Sequence, residues 1–288
     1  MVPVRRSLGE DGSILSEVEG VSNHGIIMKL SENARIFCAL IHRDMKVFGS
    51  KFKDAFIDGM CVVMLQVIMC GYLLPQMGMK PHLTAPLYIS TFVLMLFTIG
   101  FSQSLRMVFD IKFNRYVDYL LTLPLPKTWL FSTYVFSFML ETFLTTLPLI
   151  TIGILILHKH FPPDQIQWLS FFAFYLLALL FMSTFVLMLA LSFSYQWYMD
   201  NIWPRILSPL LCIGAIFFTW HGINQFSPRV AQLTLLNPFT YIAEGIRLGL
   251  LGGPEYLPFT YCVPAVMVAL AIAILLLARG IKNRLDPV

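Results

Sequence analysis

Six apolar blocks between Phe56 and Ala278 dominate this chain, each close to the length needed to cross a lipid bilayer. A hydrocarbon core roughly 30 Å thick takes about 20 apolar residues of helix. Water is absent there, so every backbone amide and carbonyl must pair within its own segment. Helices meet that demand. The expected fold class is therefore all-α, a polytopic membrane protein with six transmembrane helices. The blocks run from about Phe56 to Leu74, Ala85 to Leu105, Trp129 to Leu157, Trp168 to Phe193, Ile206 to Trp220, and Phe259 to Leu277. The fifth is short and carries Pro209, which lacks an amide donor and interrupts a helix.

Charge agrees with that reading and orients it. Only 12% of the 288 residues are charged, about half the usual share for a soluble domain. That excludes a nucleic-acid binder in spite of the net +4. Arg and Lys collect ahead of the first span (Arg35, Arg43, Lys46, Lys51, Lys53), between spans two and three (Arg106, Lys112, Arg115, Lys127), and in the tail (Arg279, Lys282, Arg284). The alternate loops hold few. Cytoplasmic loops carry such an excess, so both termini are expected in the cytoplasm. Trp129, Trp168, Trp197, Trp203 and Trp220 near block ends fit an interfacial belt. Residues 1–30 are polar and lack the pattern of a cleaved signal peptide. They read as a polar tail ahead of an amphipathic helix over 31–55, a membrane domain over 56–282 and a short cytoplasmic tail over 283–288.

Two amphipathic segments lie outside the spans. In the first, Phe37, Ile41, Met45, Phe48, Phe52 and Phe56 recur at three- and four-residue steps and form one stripe. Ser31 is a candidate N-cap, and Arg43, Lys46 and Lys53 sit on the opposite side. This predicts a cytoplasmic helix in the headgroup plane; packing on the rest of the protein is the alternative. In the second, Tyr116, Tyr119, Leu120 and Leu123 share a face, opposite Arg115 and Asp118, and Pro124 and Pro126 stop the helix. Such a helix either docks into a partner's groove or simply caps the spans it joins.

A third helix is specified at both ends. Asn237 is a strong N-cap, Pro238 suits the first helical position, and Gly252-Gly253 permits a left-handed stop. The run Phe239 to Leu251 is too short to span and carries Glu244 and Arg247 one turn apart, a self-neutralising pair. It is expected as a re-entrant or interfacial helix on the outer side, with Gly245 and Gly249 spaced for close helix approach. Glu141, in the middle of the third block, is costly to bury in a membrane. It serves either a polar contact along a cargo path or a hydrogen bond between helices.

Other chemistry is missing from the sequence. No GxxxxGK[ST] loop is present, so the chain has no Walker loop of its own. HExxH and GxSxG are also absent. His158 and His160 form an isolated HxH beside Lys159, read as a solvated loop rather than a metal site. Cys38, Cys61, Cys70, Cys212 and Cys262 show no CxxC spacing and read as small buried hydrophobes.

Three segments resemble one family. NPFTYIAEGIRLGLLGG (237–253), NRYVDYLLTLPLPKTWL (114–130) and LIHRDMKVFGSKFKDAF (40–56) are similar to stretches of type-2 ATP-binding-cassette exporter permeases. The resemblance, with the span layout, covers Ser31 to the C-terminus. It implies a permease subunit in the bacterial inner membrane that pairs with a second copy and is energised by a separate ATPase. That partner would supply the ATP and magnesium chemistry, with no cofactor in this chain. It implies that Arg115, Tyr116, Asp118, Tyr119, Leu120, Leu123 and Pro124 contact the ATPase, with Arg43, Asp44 and Lys46 nearby. It further implies that Asn237, Pro238, Glu244 and Arg247 shape the exit, for an amphipathic cargo such as a lipid-linked polysaccharide, a lipid or a hydrophobic drug. Two other classes stay open: a polytopic enzyme acting on a lipid, and a carrier driven by an ion gradient, which would favour internal repeats and more midplane charge.

Overall fold

The computed structural model describes residues 11–80, 83–114, 117, 122, 126–161 and 163–285, with backbone alone for 11–32, 114, 127, 163 and 283–285. Among the described residues the regular structure is helical, and no strand occurs. Ten helices matter here: α1 (Asp11–Ile68), α2 (Thr84–Phe109), α3 (Lys127–Ile156), α4 (Trp168–Ser192), α5 (Tyr195–Ile202), α6 (Ser208–Ile213), α7 (Trp220–Phe226), α8 (Pro228–Thr234), α9 (Pro238–Leu251) and α10 (Phe259–Leu285). Five of these segments are long and apolar enough to cross a membrane: Asn33–Gln76, Thr84–Phe113, Thr128–Ile156, Trp168–Ser192 and Phe259–Lys282. The protein is thus a helical, multi-pass membrane protein.

Packing directions follow from residue pairs. Along α1 and α3 the numbers rise together. Phe37 meets Trp129, Asp44 bonds Ser137, a Cβ on Gly59 would strike Leu149, and one on Gly71 would strike Leu157. These two helices are parallel. Helix α2 runs against α3, since Gln103 reaches the Phe138 carbonyl while Tyr88 reaches that of Leu149. Helix α4 is parallel to α2, with Phe92 on Tyr175 and Gly100 against Val186. Helices α2 and α4 form the centre, with 67% and 78% of their apolar windows buried, against 17% for α1 and 28% for α10. The outer faces of α1 and α10 present Leu65, Ile68, Met267, Val268 and Leu275. That is a surface suited to lipid tails and unfavourable in water.

Helix α1 revises the expected amphipathic helix at 31–55. It runs without a break from Asp11, through Ser31, into the first span, so Ser31 is interior rather than an N-cap. A 58-residue helix is about 87 Å long, far beyond the hydrocarbon thickness. The apolar stripe packs in part on α3. Phe37 packs between Trp129 and Phe136, and Leu40 and Phe48 are buried. No proline interrupts the segment, so nothing ends the helix at residue 55.

The block Ile206 to Trp220, expected as a span, is not one helix. It comprises a π-helical turn at Trp203–Leu207, the six residues of α6, and irregular chain from Gly214. Pro204 and Pro209 each remove an amide donor, which widens and then shortens the helix. At Ala215 the backbone enters the left-handed region, at φ 51. Even so, this stretch climbs the bundle. Tyr198 bonds Ser104, Phe101 packs on Trp203, and Ala215 lies at the level of Ser90, both being held by Arg247. From Ser104 to Ser90 is about 21 Å along α2. Helices α4 and α10 are parallel, with Phe174 on Phe259 and Leu191 on Gly280. The chain between them must therefore return the whole length of the bundle.

Helix α9 has the ends its sequence specified. The Asn237 Oδ1 accepts from the Phe239 amide, Pro238 is the first residue, and Gly252 has φ 63. It runs against α4, from Phe239 beside Phe181 and Phe185 to Gly249, whose carbonyl accepts from the Gln167 amide. It thus begins near the middle of α4 and ends at that helix's start. A Cβ on Gly245 would enter the Phe174 ring, and one on Gly249 would lie 3.1 Å from the Phe171 Cα. Both glycines let the two backbones approach.

Candidate functional site

A cleft of about 690 Å³ lies between α1 and α2, floored by α3. From α1 come Phe48, Lys51, Asp54, Asp58, Val62 and Gln66, one face at helical spacing. Helix α2 supplies Thr91, Leu94, Thr98, Ser102 and Arg106, and α3 supplies Glu141 and Thr145. The charged side chains are spread along the cleft, from Arg106 and Glu141 at one end to Asp58 beyond its middle. Arg106 Nη2 donates to Glu141 Oε2 at 2.5 Å, and Gln103 Nε2 donates to the same oxygen at 3.3 Å and to Thr142 Oγ1 at 3.2 Å. Lys51 and Asp54 follow along α1, and Asp58 lies at the level of Thr91, since its neighbour Gly59 meets Leu149, whose carbonyl takes the Tyr88 hydroxyl. Two cations against three carboxylates give a formal −1 for the walls. This arrangement suits a molecule with a cationic or zwitterionic head and an apolar body.

Glu141 makes a polar contact between helices, one of its two expected roles. Its partner Arg106 lies in the last turn of α2, which sets Glu141 near the basic end of the bundle. Apolar periodicity carries no hint of this register, because α3 extends past α2 at that end. Arg106 is half-exposed, at 52%, so the pair contributes little stability.

Arg43, Asp44 and Lys46 separate in role. Arg43 donates to Asp44 Oδ1 at 2.7 Å, Ser137 donates to Asp44 Oδ2 at 2.9 Å, and Lys46 is exposed. Asp44 therefore pins α1 to α3. Arg115, Tyr116, Asp118, Tyr119, Leu120, Leu123 and Pro124 lie outside the described residues.

Glu244 and Arg247 form a knot that sequence reasoning only half anticipated. Glu244 and Arg247 have side chains 0% and 1% exposed and meet at 2.7 Å. Glu244 Oε1 also accepts from the Trp220 amide at 3.0 Å, and Oε2 from the Leu257 amide at 3.3 Å. Arg247 Nη2 donates to Ser90 Oγ at 2.6 Å and to the carbonyls of Ala215 and Ile216 at 2.8 and 3.0 Å. Arg247 Nε is buried without an acceptor. Five chain segments are thus tied by one ion pair. The sequence signalled the pair by its i,i+3 spacing, but nothing marked Ser90, Ala215 or Ile216 as its partners. Nearby, burial pushes the Tyr256 hydroxyl up to about 12, so it stays neutral beside the knot. At the opposite end of α9, Asn237 donates through Nδ2 to the Leu210 carbonyl at 2.6 Å.

The cysteines are less buried than expected. All five are free, but only Cys70 and Cys262 are enclosed, while Cys38, Cys61 and Cys212 face outward.

Compared with known proteins, the chain matches no family model, no curated sequence and no solved structure.

Proposed function

We propose that this chain is the membrane-spanning permease subunit of an ATP-driven exporter for an amphipathic or lipid-linked molecule. A separate ATP-binding-cassette ATPase would drive it, and a second permease copy would complete it. The observation that carries the reading is the α1–α2–α3 cleft, whose largely apolar walls carry two cations and three carboxylates. In this reading the bundle crosses the membrane six times, with the broken stretch from Tyr195 to Thr219 as the fifth crossing. The parallel run of α4 and α10 supports that count. Helix α9 is the re-entrant element on the outer side, and the basic end faces the cytoplasm of a bacterial inner membrane.

The motor's handle is the loop 115–124. It joins α2, one wall of the cleft, to α3, its floor. Motion of that loop changes the angle between wall and floor, while the Glu244–Arg247 knot holds the far end fixed. An ATPase shifts this equilibrium only by binding one form better than the other.

The test is affinity purification of the tagged chain from its native membranes, with ATP hydrolysis measured on the eluate. The wild-type eluate should contain a Walker-loop protein and hydrolyse ATP. Leu120→Asp should remove most of that activity without changing membrane insertion. Undiminished activity in the variant, or whole-cell labelling of a cysteine placed at Tyr119 from the exterior, would overturn the proposal. A lipid-directed enzyme is the second reading, favoured by Asp54, Asp58 and Glu141 sharing one cleft. Turnover of a lipid without ATP, abolished by replacing one of the three, would select it.

A further inference from the structure

A second recess lies on the opposite side of the bundle, between α4 and α10. At mid-depth it is a trough of about 560 Å³ under the start of α9, walled by Phe181, Leu236, Pro238 and the α10 face from Pro264 to Leu276. At the basic end it opens into a second space of about 740 Å³ that includes Ser192, Ser194 and Arg279. The two spaces share Phe185, Met188 and Leu276, so they form one continuous trough. Its deep part carries Tyr241 as its only side-chain polar group. The alanines Ala265, Ala269 and Ala273 on α10 leave the room.

We infer that this trough binds an anionic phospholipid of the leaflet at the basic end, with an acyl chain along α10 and the phosphate at Arg279. The inference needs only that the chain spans a membrane. Three observations select this occupant. From Leu276 to Pro264 the trough follows α10 for about 18 Å, against roughly 15 Å of hydrocarbon in one leaflet. Arg279 stands where the apolar lining stops, and among the described residues no carboxylate pairs with it. A guanidinium offers parallel donors that match two phosphate oxygens. The Ser194 hydroxyl, which makes no capping bond to α5, is placed to donate a third. An apolar chain in the trough meets carbon along its length, and a charged head meets the cation at the end where lipid heads lie.

The test is native mass spectrometry of the purified full chain in detergent, titrated with phosphatidylglycerol or phosphatidylcholine of the same acyl chains. The wild type should retain phosphatidylglycerol preferentially. Arg279→Gln, at an exposed position, should weaken that retention about fivefold and leave phosphatidylcholine unchanged. Ala269→Phe, which fills the trough, should weaken both lipids; Ala269→Met serves if the larger residue prevents folding. Lys282→Gln lies at the same end outside the trough and should have no effect. Equal loss with Lys282→Gln would reveal general surface attraction and overturn the site. So would unchanged retention in Arg279→Gln or in both Ala269 variants, or loss of a dimer in the Ala269 variants, which would make the trough a contact between copies.

Discussion

Replacing Arg247 by methionine tests the energetic centre of the fold. The substitution keeps much of the side-chain volume and removes the charge. Four hydrogen bonds disappear: to Glu244, Ser90, Ala215 and Ile216. Glu244 then keeps the Trp220 and Leu257 amides but loses its counter-ion inside a fully buried site. Breaking a buried pair from one side costs about 3–5 kcal/mol, chiefly through the stranded charge. Hydrogen bonds between membrane helices are worth far less on average, about 0.6 kcal/mol, because the unfolded segments find other partners in the membrane. The larger scale should prevail here, since the knot lies within protein and fastens irregular backbone at Ala215 and Ile216 that has no helical partner. The expected loss is about 3 kcal/mol, measured by unfolding in mixed SDS–detergent micelles. The double variant Glu244→Gln with Arg247→Met should recover at least half of it, because no charge is then stranded. A loss under about 1 kcal/mol for Arg247→Met, or a double variant as costly as the two single losses added, would refute the reasoning.

Other outcomes follow from local geometry. Gly245→Val should destabilise by about 1–3 kcal/mol in the same assay, because its side chain would overlap the Phe174 ring. Gly49→Ala should instead stabilise α1 by about 0.5–1 kcal/mol, since nothing lies within 4 Å of the added carbon and alanine is the better helix former. Glu141→Gln should change stability by less than about 1 kcal/mol, because Arg106 is half-exposed. In the ATPase assay on purified complex, the same change should abolish stimulation by a cationic amphiphile such as rhodamine 6G. Stimulation equal to the wild type would remove Glu141 from the cleft's function.

Much of the fold was readable because membrane burial leaves a coarse signal. Helices α2, α3, α4 and α10 start within two residues of their apolar blocks, since a long apolar run in lipid has no other stable backbone. Helix α9 was readable from its ends, because Asn237, Pro238 and Gly252 act on their own turn. The amphipathic stripe near residue 45 was visible, but its target was not. Headgroups and a neighbouring helix both accept a row of phenylalanines, and only the pairing with Trp129 and Phe136 distinguishes them. The same limit hid the cleft. Its carboxylates come from positions 54, 58 and 141, and only the parallel run of α1 with α3 brings them together.

Composition and apolar block length by themselves determined a lipid environment, a helical backbone and the starts of four long helices, since those depend on the cost of exposing single residues or peptide groups. Which helices touch, where Glu141 finds its cation and what Arg247 holds depend on register between distant segments. Register is set by side-chain volumes meeting across a gap, as Gly59 meets Leu149 and Gly245 meets Phe174, and no window along the chain contains both sides of such a contact.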